Sequence, residues 1–264
     1  MRHLATFLGE QGFSVTDMAC QGDDITFADN MQYLILPLPL TADGIHLNCE
    51  AEVKPSLVDI IQSIPCSAKV LAGCVSERAE DMLQQRGITW RDYYRDEKLL
   101  KGNAYLTAEA TLQLVMQNIN RSVKDAKVLI TGSGRCGKEA ARLFKKMGAK
   151  VTLTSRKRKD RVKTALMGIK PAKTADLHTL VQDADVIINT VPHPIFTECV
   201  LSGIKPETFV VELASSAAGV DLQAAADLGT NLLYAPSLPG RCLPFSAAEV
   251  ICRTLTKIIR EDSL

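Results

Sequence analysis

A glycine-rich loop between a strand-like and a helix-like segment is where the residue types and their spacing point most clearly to chemistry. The apolar run Lys127–Thr131 precedes the loop, and the amphipathic stretch Lys138–Met147 follows it. The glycines of the loop stand at GxGxxG spacing and are Gly132, Gly134 and Gly137. The first makes a tight turn, the second lets a pyrophosphate approach the backbone, and the third allows the helix to pack closely on the strand. The loop therefore predicts a dinucleotide site in which Arg135 and Cys136 lie beside the phosphates at the helix amino terminus. A glycine-rich turn without a cofactor is the alternative.

The residues after the next predicted strand indicate which dinucleotide binds. The strand Lys150–Thr154 follows the loop at the spacing the fold requires, and Ser155, Arg156, Lys157 and Arg158 come next. Proteins that prefer NAD place a carboxylate at this point on the ribose hydroxyls. A hydroxyl and guanidinium groups would instead bind a 2′-phosphate. We therefore expect NADP, with NAD possible, and a solvated basic turn as the structural alternative.

Polar and turn residues follow each later predicted strand, Asp185–Thr190, Phe209–Leu213 and Asn231–Tyr234. Ligands of open α/β sheets bind at the carboxyl ends of the strands, so these loops are expected to surround the nicotinamide and the substrate. The residues expected at the cofactor are Thr190, Val191, Pro192 and Ala214. Those expected at the substrate are Ser215, Ser216 and Pro236. Ordinary turn chemistry would also explain their composition.

Alternating strand-like and helix-like segments predict an α/β fold with two parallel-sheet domains, the C-terminal one a Rossmann NAD(P)-binding domain. We expect a flavodoxin-like α/β domain over residues 1–105, a connecting helix over 106–124, the Rossmann domain over 125–244, and a C-terminal helix over 245–264 that packs at the domain junction. Thr107 is placed to cap the start of the connecting helix. An ordinary core helix is the alternative to a connector.

Hydrophobic periodicity predicts the shorter elements. The strands expected in the N-terminal domain are Phe13–Val15, Gln32–Leu38, Ala68–Ala72 and Ile88–Trp90. The helices expected there are Leu57–Ile64 and Glu77–Arg86. Later helices are expected at Leu177–Asp183, Leu222–Leu228 and Ala247–Ile259.

Composition narrows the classes of partner. The chain carries 31 Lys and Arg against 30 Asp and Glu, which gives no electrostatic reason to expect nucleic acid or an anionic membrane. The apolar runs are strand-length and too short to span a bilayer, and no signal-peptide pattern opens the sequence. Eight cysteines and four histidines are scattered without metal-ligand spacing, so neither a metal site nor a disulfide is expected. We expect a cytoplasmic protein with a small-molecule partner, and a homo-oligomer.

Several longer motifs are similar to one family, the A subunit of dipicolinate synthase of endospore-forming bacteria. They are ILPLPLTADG at 35–44, NAYLTAE at 103–109, the glycine loop at 128–137, NTVP ending at Pro192, LASSAAGVD at 213–221 and APSLPGRCLPFSA at 235–247. These stretches extend over nearly the whole chain. The combination of PLPLTADG, TAE and APSLPG is more selective than the glycine loop, which many families share.

The resemblance implies an oxidoreductase of the lysine pathway and of sporulation. Its substrate would be a heterocyclic dicarboxylate of the tetrahydrodipicolinate type, oxidised to dipicolinate with reduction of NAD(P), and the flavoprotein-like B subunit of dipicolinate synthase would be its partner. Thr107 and Glu109 would then lie at the interdomain cleft with the loops at Ser215 and Pro236. Aromatisation of the ring supplies the driving force, so the protein needs mainly to orient the substrate and to supply one acid/base group.

This chain departs from the family at several positions. Family members open with a strand before the helix that here begins at Met1, so the first strand of the N-terminal sheet is expected to be missing. Arg241 stands where small apolar residues are usual, and it could clamp a substrate carboxylate or form a surface salt bridge. His193 and Glu109 are the candidate acid/base residues. An incidental loop histidine and a first-turn carboxylate favoured by the helix dipole are the alternatives.

Two other functional classes remain open. One is a non-catalytic nucleotide-binding or regulatory subunit, which would suit the missing strand and the loop residues that depart from the family at 216–218, 237 and 241–243. The other is a two-domain NADP dehydrogenase of the shikimate or 2-hydroxy-acid type. No Lys and Asp pair stands where the shikimate chemistry needs one.

Overall fold

The computed structural model describes residues 2–16, 27, 30–49, 53–214 and 219–262. The chain divides into two compact units. The first unit comprises residues 1–100 and 248–264, and the second comprises residues 101–247.

The first unit is built on a parallel sheet with strand order β1-β2-β3 in the described part of the chain. Its elements are α1 (Arg2–Glu10), β1 (Tyr33–Ile35), α2 (Leu57–Ser63), β2 (Lys69–Ala72), α3 (Glu77–Gln85), β3 (Trp90–Asp92), the start of α4 (Glu97–Asn118) and most of α11 (Pro244–Asp262). The predicted strand at Phe13–Val15 is wrong: residues 13–16 have no regular structure. The Phe13 amide instead donates to the Leu8 carbonyl oxygen at 3.2 Å and closes the last turn of α1.

Two apolar clusters stabilise the first unit. One packs α2 and α3 against one face of the sheet around Ile60, Val70 and Leu83. The other brings Leu8 of α1 together with Leu255 of α11. Alternate residues of the central strand enter opposite clusters, which is the two-residue repeat of a strand buried on both faces.

The second unit contains a six-stranded parallel sheet with strand order β6-β5-β4-β7-β8-β9. After the rest of α4, its elements are β4 (Lys127–Thr131), α5 (Arg135–Lys146), β5 (Lys150–Ser155), α6 (Arg158–Leu166), β6 (Lys170–Lys173), α7 (Leu177–Leu180), β7 (Val186–Asn189), α8 (Glu198–Leu201), β8 (Phe209–Glu212), α9 (Leu222–Asp227), β9 (Leu232–Tyr234) and α10 (Leu238–Cys242). Both sheets are parallel, which confirms the predicted α/β class. The order reverses between β4 and β7, and such a switch point is where open parallel sheets bind ligands.

Apolar side chains cover both faces of this sheet. Val128 and Ile130 of β4 face α4 and α5 in one buried cluster. Leu129 faces the opposite cluster, which includes α7, α8 and α9. The central strands β4, β7 and β8 are almost wholly buried, so the backbone at their carboxyl ends is held in place.

The start of α4 differs from the sequence expectation, because the helix begins at Glu97 rather than near Leu106. Asp96 caps it: its Oδ1 accepts from the Lys98 amide at 2.8 Å and from the Leu99 amide at 3.1 Å. The expectation that Thr107 caps the helix is therefore wrong. Thr107 lies in the helix interior, where its hydroxyl donates to the Asn103 carbonyl oxygen at 2.7 Å.

Helix α6 and strand β6 were not predicted. Four of the nine residues of α6 are Lys or Arg, and β6 lies at the sheet edge with the sequence KPAK. Neither segment carries the apolar periodicity on which the predictions rest, because an edge strand is largely exposed and tolerates proline.

None of the helices in the described residues is both long and apolar enough to cross a membrane.

Candidate dinucleotide-binding site

The glycine loop turns sharply out of β4 and into α5, and two of its glycines are required by close packing. Gly132 has a φ of +91°, in the left-handed region, and a Cβ there would lie 2.7 Å from Thr190 Oγ1 and 2.8 Å from Val191 Cγ2. A Cβ on Gly137 would lie 1.9 Å from the Gly132 carbonyl oxygen. The backbone can therefore follow this path only with glycine at positions 132 and 137.

Gly134 is different, because no atom lies within 4 Å of the position its Cβ would occupy. Packing within the protein therefore gives no reason for glycine here. Gly134 is also the N-cap of α5, and it has no side chain to satisfy the first amides of that helix. Open space in front of uncapped amides at a helix amino terminus fits a pyrophosphate. The loop thus has the shape and the donors that a dinucleotide needs.

Thr107 of α4 lies against the first turn of α5. Its side chain lies close to the half-buried thiol of Cys136. Burial raises the pKa of the Cys136 thiol, although the nearby Thr107 hydroxyl and the charge of Arg135 oppose the shift. The thiol is therefore a packed, neutral group at neutral pH. The structure brings these two predicted residues together.

A buried polar network links the carboxyl ends of β4, β7 and β8. The Thr131 hydroxyl donates to Asn189 Oδ1, which also accepts from the Val191 amide at 3.0 Å. Asn189 Nδ2 donates to Glu212 Oε2 at 2.6 Å and to the Val191 carbonyl oxygen at 3.1 Å. Glu212 Oε1 accepts from the Ala214 amide at 2.7 Å. The network thereby anchors the loops that contain Val191 and Ala214, two of the residues predicted at the cofactor.

Glu212 is fully buried, at 0% exposure. Burial raises the pKa of this carboxyl above its usual value, while the Asn189 amide and the Ala214 amide oppose the shift. Gly219 closes over the network: a Cβ there would lie 2.2 Å from Asn189 Nδ2, 2.5 Å from the Val191 carbonyl oxygen and 2.7 Å from Glu212 Oε2. Only glycine can pass over these groups.

The basic turn after β5 combines one buried hydroxyl with exposed cations. Ser155 is buried at the end of the strand, whereas Arg156 and Lys157 are exposed. One guanidinium nitrogen of Arg161 donates to the Ser155 carbonyl oxygen at 3.1 Å and to the Arg156 carbonyl oxygen at 2.8 Å. Lys157 is the N-cap of α6 and makes no side-chain cap. The turn therefore exposes two cations at a helix amino terminus, while the buried Ser155 hydroxyl donates to the Lys157 carbonyl oxygen at 3.5 Å. Arg161 holds the backbone of the turn.

Within the described part of the chain, the remaining predicted site residues are not joined to one another by hydrogen bonds or ion pairs. Glu109 and His193 are exposed, and neither side chain has a hydrogen-bond or ion-pair partner within the described ranges. Arg241 is exposed in the last turn of α10. Thr190 lies beside Gly132, Pro192 is exposed, and Pro236 is half-buried in front of α10. Ser215 and Ser216 lie outside the described residues.

Asn189, Glu212, Gly219 and Arg161 belong to this edge of the sheet and were not among the predicted site residues. A signal for Glu212 was present, since it is the one charged residue in the apolar run Phe209–Leu213. A carboxylate in a buried strand needs partners that satisfy it. Those partners lie 2 and 23 residues away in sequence, and nothing local identifies the second of them.

Comparison with known proteins supports the same fold. The chain is 28% identical over 247 residues to the A subunit of dipicolinate synthase of Bacillus subtilis (strain 168), covering 92% of this chain and 82% of that protein. A crystal structure of the dipicolinate synthase A chain from Bacillus subtilis matches with a TM-score of 0.82 at 27% identity, covering 98% of this chain and 92% of the other. The crystal structure of the A subunit from Bacillus halodurans matches with a TM-score of 0.79 at 27% identity, covering 87% and 80%. The resemblance to the A subunit of dipicolinate synthase is thus confirmed.

Residues 94–227 match the family described as D-isomer specific 2-hydroxyacid dehydrogenase, NAD binding domain. The match includes the glycine loop, the basic turn and the network around Glu212, and it extends over half of the chain. The match gives a nicotinamide dinucleotide as the ligand class, and the geometry of the glycine loop fits the pyrophosphate of such a ligand. The chain therefore belongs to the D-isomer specific 2-hydroxyacid dehydrogenase family through its NAD binding domain.

Proposed function

We propose that this chain binds NADP(H) and is the hydride-transferring subunit of a dipicolinate synthase, oxidising a tetrahydrodipicolinate-type dicarboxylate to dipicolinate. The observation that carries the proposal is the open space at Gly134 in front of α5, in a chain similar to the A subunit of dipicolinate synthase over nearly its whole length. The balance requires a tetrahydrodipicolinate that carries a ring hydroxyl: loss of this hydroxyl as water, transfer of one hydride to the nicotinamide and loss of one proton complete the aromatic ring. When bound, the nicotinamide supplies the hydride acceptor.

The chain's own residues bind and orient the dinucleotide. The amides at the start of α5 hold the pyrophosphate, and Arg135 and Cys136 lie beside it. Ser155, Arg156 and Lys157 bind the 2′-phosphate, which is why we propose NADP rather than NAD. The loops that include Thr190, Val191, Pro192 and Ala214 support the nicotinamide end.

Substrate binding and proton transfer form the second part of the proposal. Arg241 pairs with a carboxylate of the substrate, which Thr107, Ser215, Ser216 and Pro236 surround. Glu109 or His193 accepts the proton. The reaction takes place in the cytoplasm with a homo-oligomer of this chain, and the flavoprotein-like B subunit is the partner, since the similar proteins are themselves named for one component of a synthase.

A non-catalytic nucleotide-binding subunit is the second candidate. It is favoured by one observation: the structure gives Glu109 and His193, as far as the described residues extend, no neighbour that would orient them for proton transfer. The two candidates agree on dinucleotide binding and differ on turnover.

The deciding experiment combines this chain with the B subunit, NADP⁺ and a tetrahydrodipicolinate precursor. Dipicolinate should form and be detectable by terbium luminescence, together with the absorbance of NADPH. Omitting this chain is the control. Binding of NADP⁺ without dipicolinate formation would leave nucleotide binding without catalysis as the function, and absence of binding would exclude both candidates.

A further inference from the structure

Glu212 is a buried carboxylate whose partners are both N–H donors. Its two oxygens accept from Asn189 Nδ2 at 2.6 Å and from the Ala214 amide at 2.7 Å. The described residues place no cation against it. An ionised carboxylate, which only accepts hydrogen bonds, matches two donors, whereas a glutamine of the same shape would present an N–H group to one of them.

The carboxylate decides which way the Asn189 amide faces. Because Nδ2 donates to Glu212, Oδ1 must face the Thr131 hydroxyl and the Val191 amide. A flipped amide would bring its oxygen against the carboxylate and its N–H group against the Val191 amide. Glu212 therefore determines, through Asn189, how both backbone polar groups of Val191 are held.

The loop held in this way lies next to the glycine loop on the β7 side. The Val191 side chain lies 2.8 Å from where a Cβ of Gly132 would be, and the Thr190 hydroxyl donates to the Thr131 carbonyl oxygen at 2.7 Å. A dinucleotide on such a sheet lies across the switch point, with the adenosine half toward the second strand and the nicotinamide half on the other side. Here the adenosine side is β5 and the nicotinamide side is β7 and β8.

We propose that Glu212 is a positioning residue that holds the nicotinamide-binding loops through Asn189 and the Ala214 amide. It contacts no cofactor itself. The proposal rests on the proposed dinucleotide site but is separate from the identity of the substrate. A purely structural role for Glu212 would be to hold β7 and β8 together. Loss of that role would weaken the binding of both halves of the dinucleotide equally.

The test compares NADPH with adenosine 2′,5′-bisphosphate, which lacks the nicotinamide half. In Glu212→Gln, we expect the affinity for NADPH to fall about tenfold, because one buried donor is left unsatisfied and the loop shifts. The affinity for the bisphosphate should stay unchanged. Asn189→Ala should show the same selective loss, which gives a second test should Glu212→Gln fail to fold.

Thr208→Val is the matched control, because the Thr208 hydroxyl makes a buried bond of 2.7 Å to the Ala184 carbonyl oxygen at the opposite ends of the same two strands. It should lower stability without changing the ratio of the two affinities. Equal losses of both ligands in Glu212→Gln, or no loss of either, would overturn the inference while the proposed function stands. A wild-type protein that binds neither ligand would overturn both.

Discussion

The two glycines Gly134 and Gly137 are three residues apart, yet substitution to alanine should damage different properties. In Gly137→Ala the new methyl would lie 1.9 Å from the Gly132 carbonyl oxygen and 3.1 Å from its carbonyl carbon. Both are backbone atoms, so α5 must move away from the end of β4. In Gly134→Ala the methyl meets nothing within 4 Å, and the backbone φ of −69° suits alanine.

The magnitudes follow from these distances. Overpacking of this kind costs about 3 kcal/mol, at the upper end of the usual range, because backbone rather than a flexible side chain must shift. For a unit of this size that lowers the melting temperature by roughly 6–12 °C. Gly134→Ala should cost about 0.5 kcal/mol through poorer capping. Its methyl occupies the space for the pyrophosphate, so NADPH affinity should fall at least about tenfold, or about 1.4 kcal/mol.

Thermal unfolding of the two variants without ligand, followed by NADPH titration at a temperature where both are folded, separates the effects. Wild-type stability in Gly137→Ala would refute the packing argument. Normal NADPH affinity in a folded Gly134→Ala would mean that the open space does not hold the pyrophosphate.

Three further predictions concern single side chains. Arg156→Ala should weaken NADP(H) by about 1–3 kcal/mol and leave NAD(H) nearly unchanged, and equal losses in a titration of both would refute the 2′-phosphate assignment. Arg241→Ala should raise KM for the dicarboxylate in the complete synthase, whereas an effect on kcat alone would argue against a contact in the ground state. Asp96→Ala should destabilise the protein by about 0.5–2 kcal/mol at neutral pH in chemical denaturation, because Asp96 caps α4. Burial acts to raise the pKa of Asp96, but the Leu99 amide and Lys257 outweigh it and the pKa is lowered from 3.8. The charge-dependent part of this stabilisation is therefore fully present above pH 3.8 and is lost as the pH falls through the lowered pKa. The free energies of unfolding of the wild type and Asp96→Ala should become more similar as the pH falls below 3.8. A difference that stays constant in acid would contradict the assignment.

The glycine loop between β4 and α5 could be predicted from the sequence because its determinants are local. Strand β4 has the predicted bounds Lys127–Thr131, and the glycines follow it within six residues. Apolar runs bounded by glycine and proline likewise located most strands of both sheets to within a few residues, and their alternation with helices gave the α/β class. Each of these signals lies within one element or one turn, where spacing and backbone freedom are read directly from residue type.

Other features depended on the tertiary structure. Strand β6 has little apolar character, and its position follows from pairing with β5. Helix α4 begins at Glu97, after the cap Asp96, and its first residues precede the amphipathic part of the helix. The apolar pattern therefore predicted a start too far along the chain.

The polar network is the clearest case of a feature that only the fold decided. Thr131 and Asn189 are 58 residues apart, and Asn189 and Glu212 are 23 apart. The sequence by itself predicted a dinucleotide site after β4, since glycine spacing carries that information locally. Which side chains hold the loops around the site was decided by strand order, because parallel pairing brings the carboxyl ends of β4, β7 and β8 to one edge from distant parts of the chain.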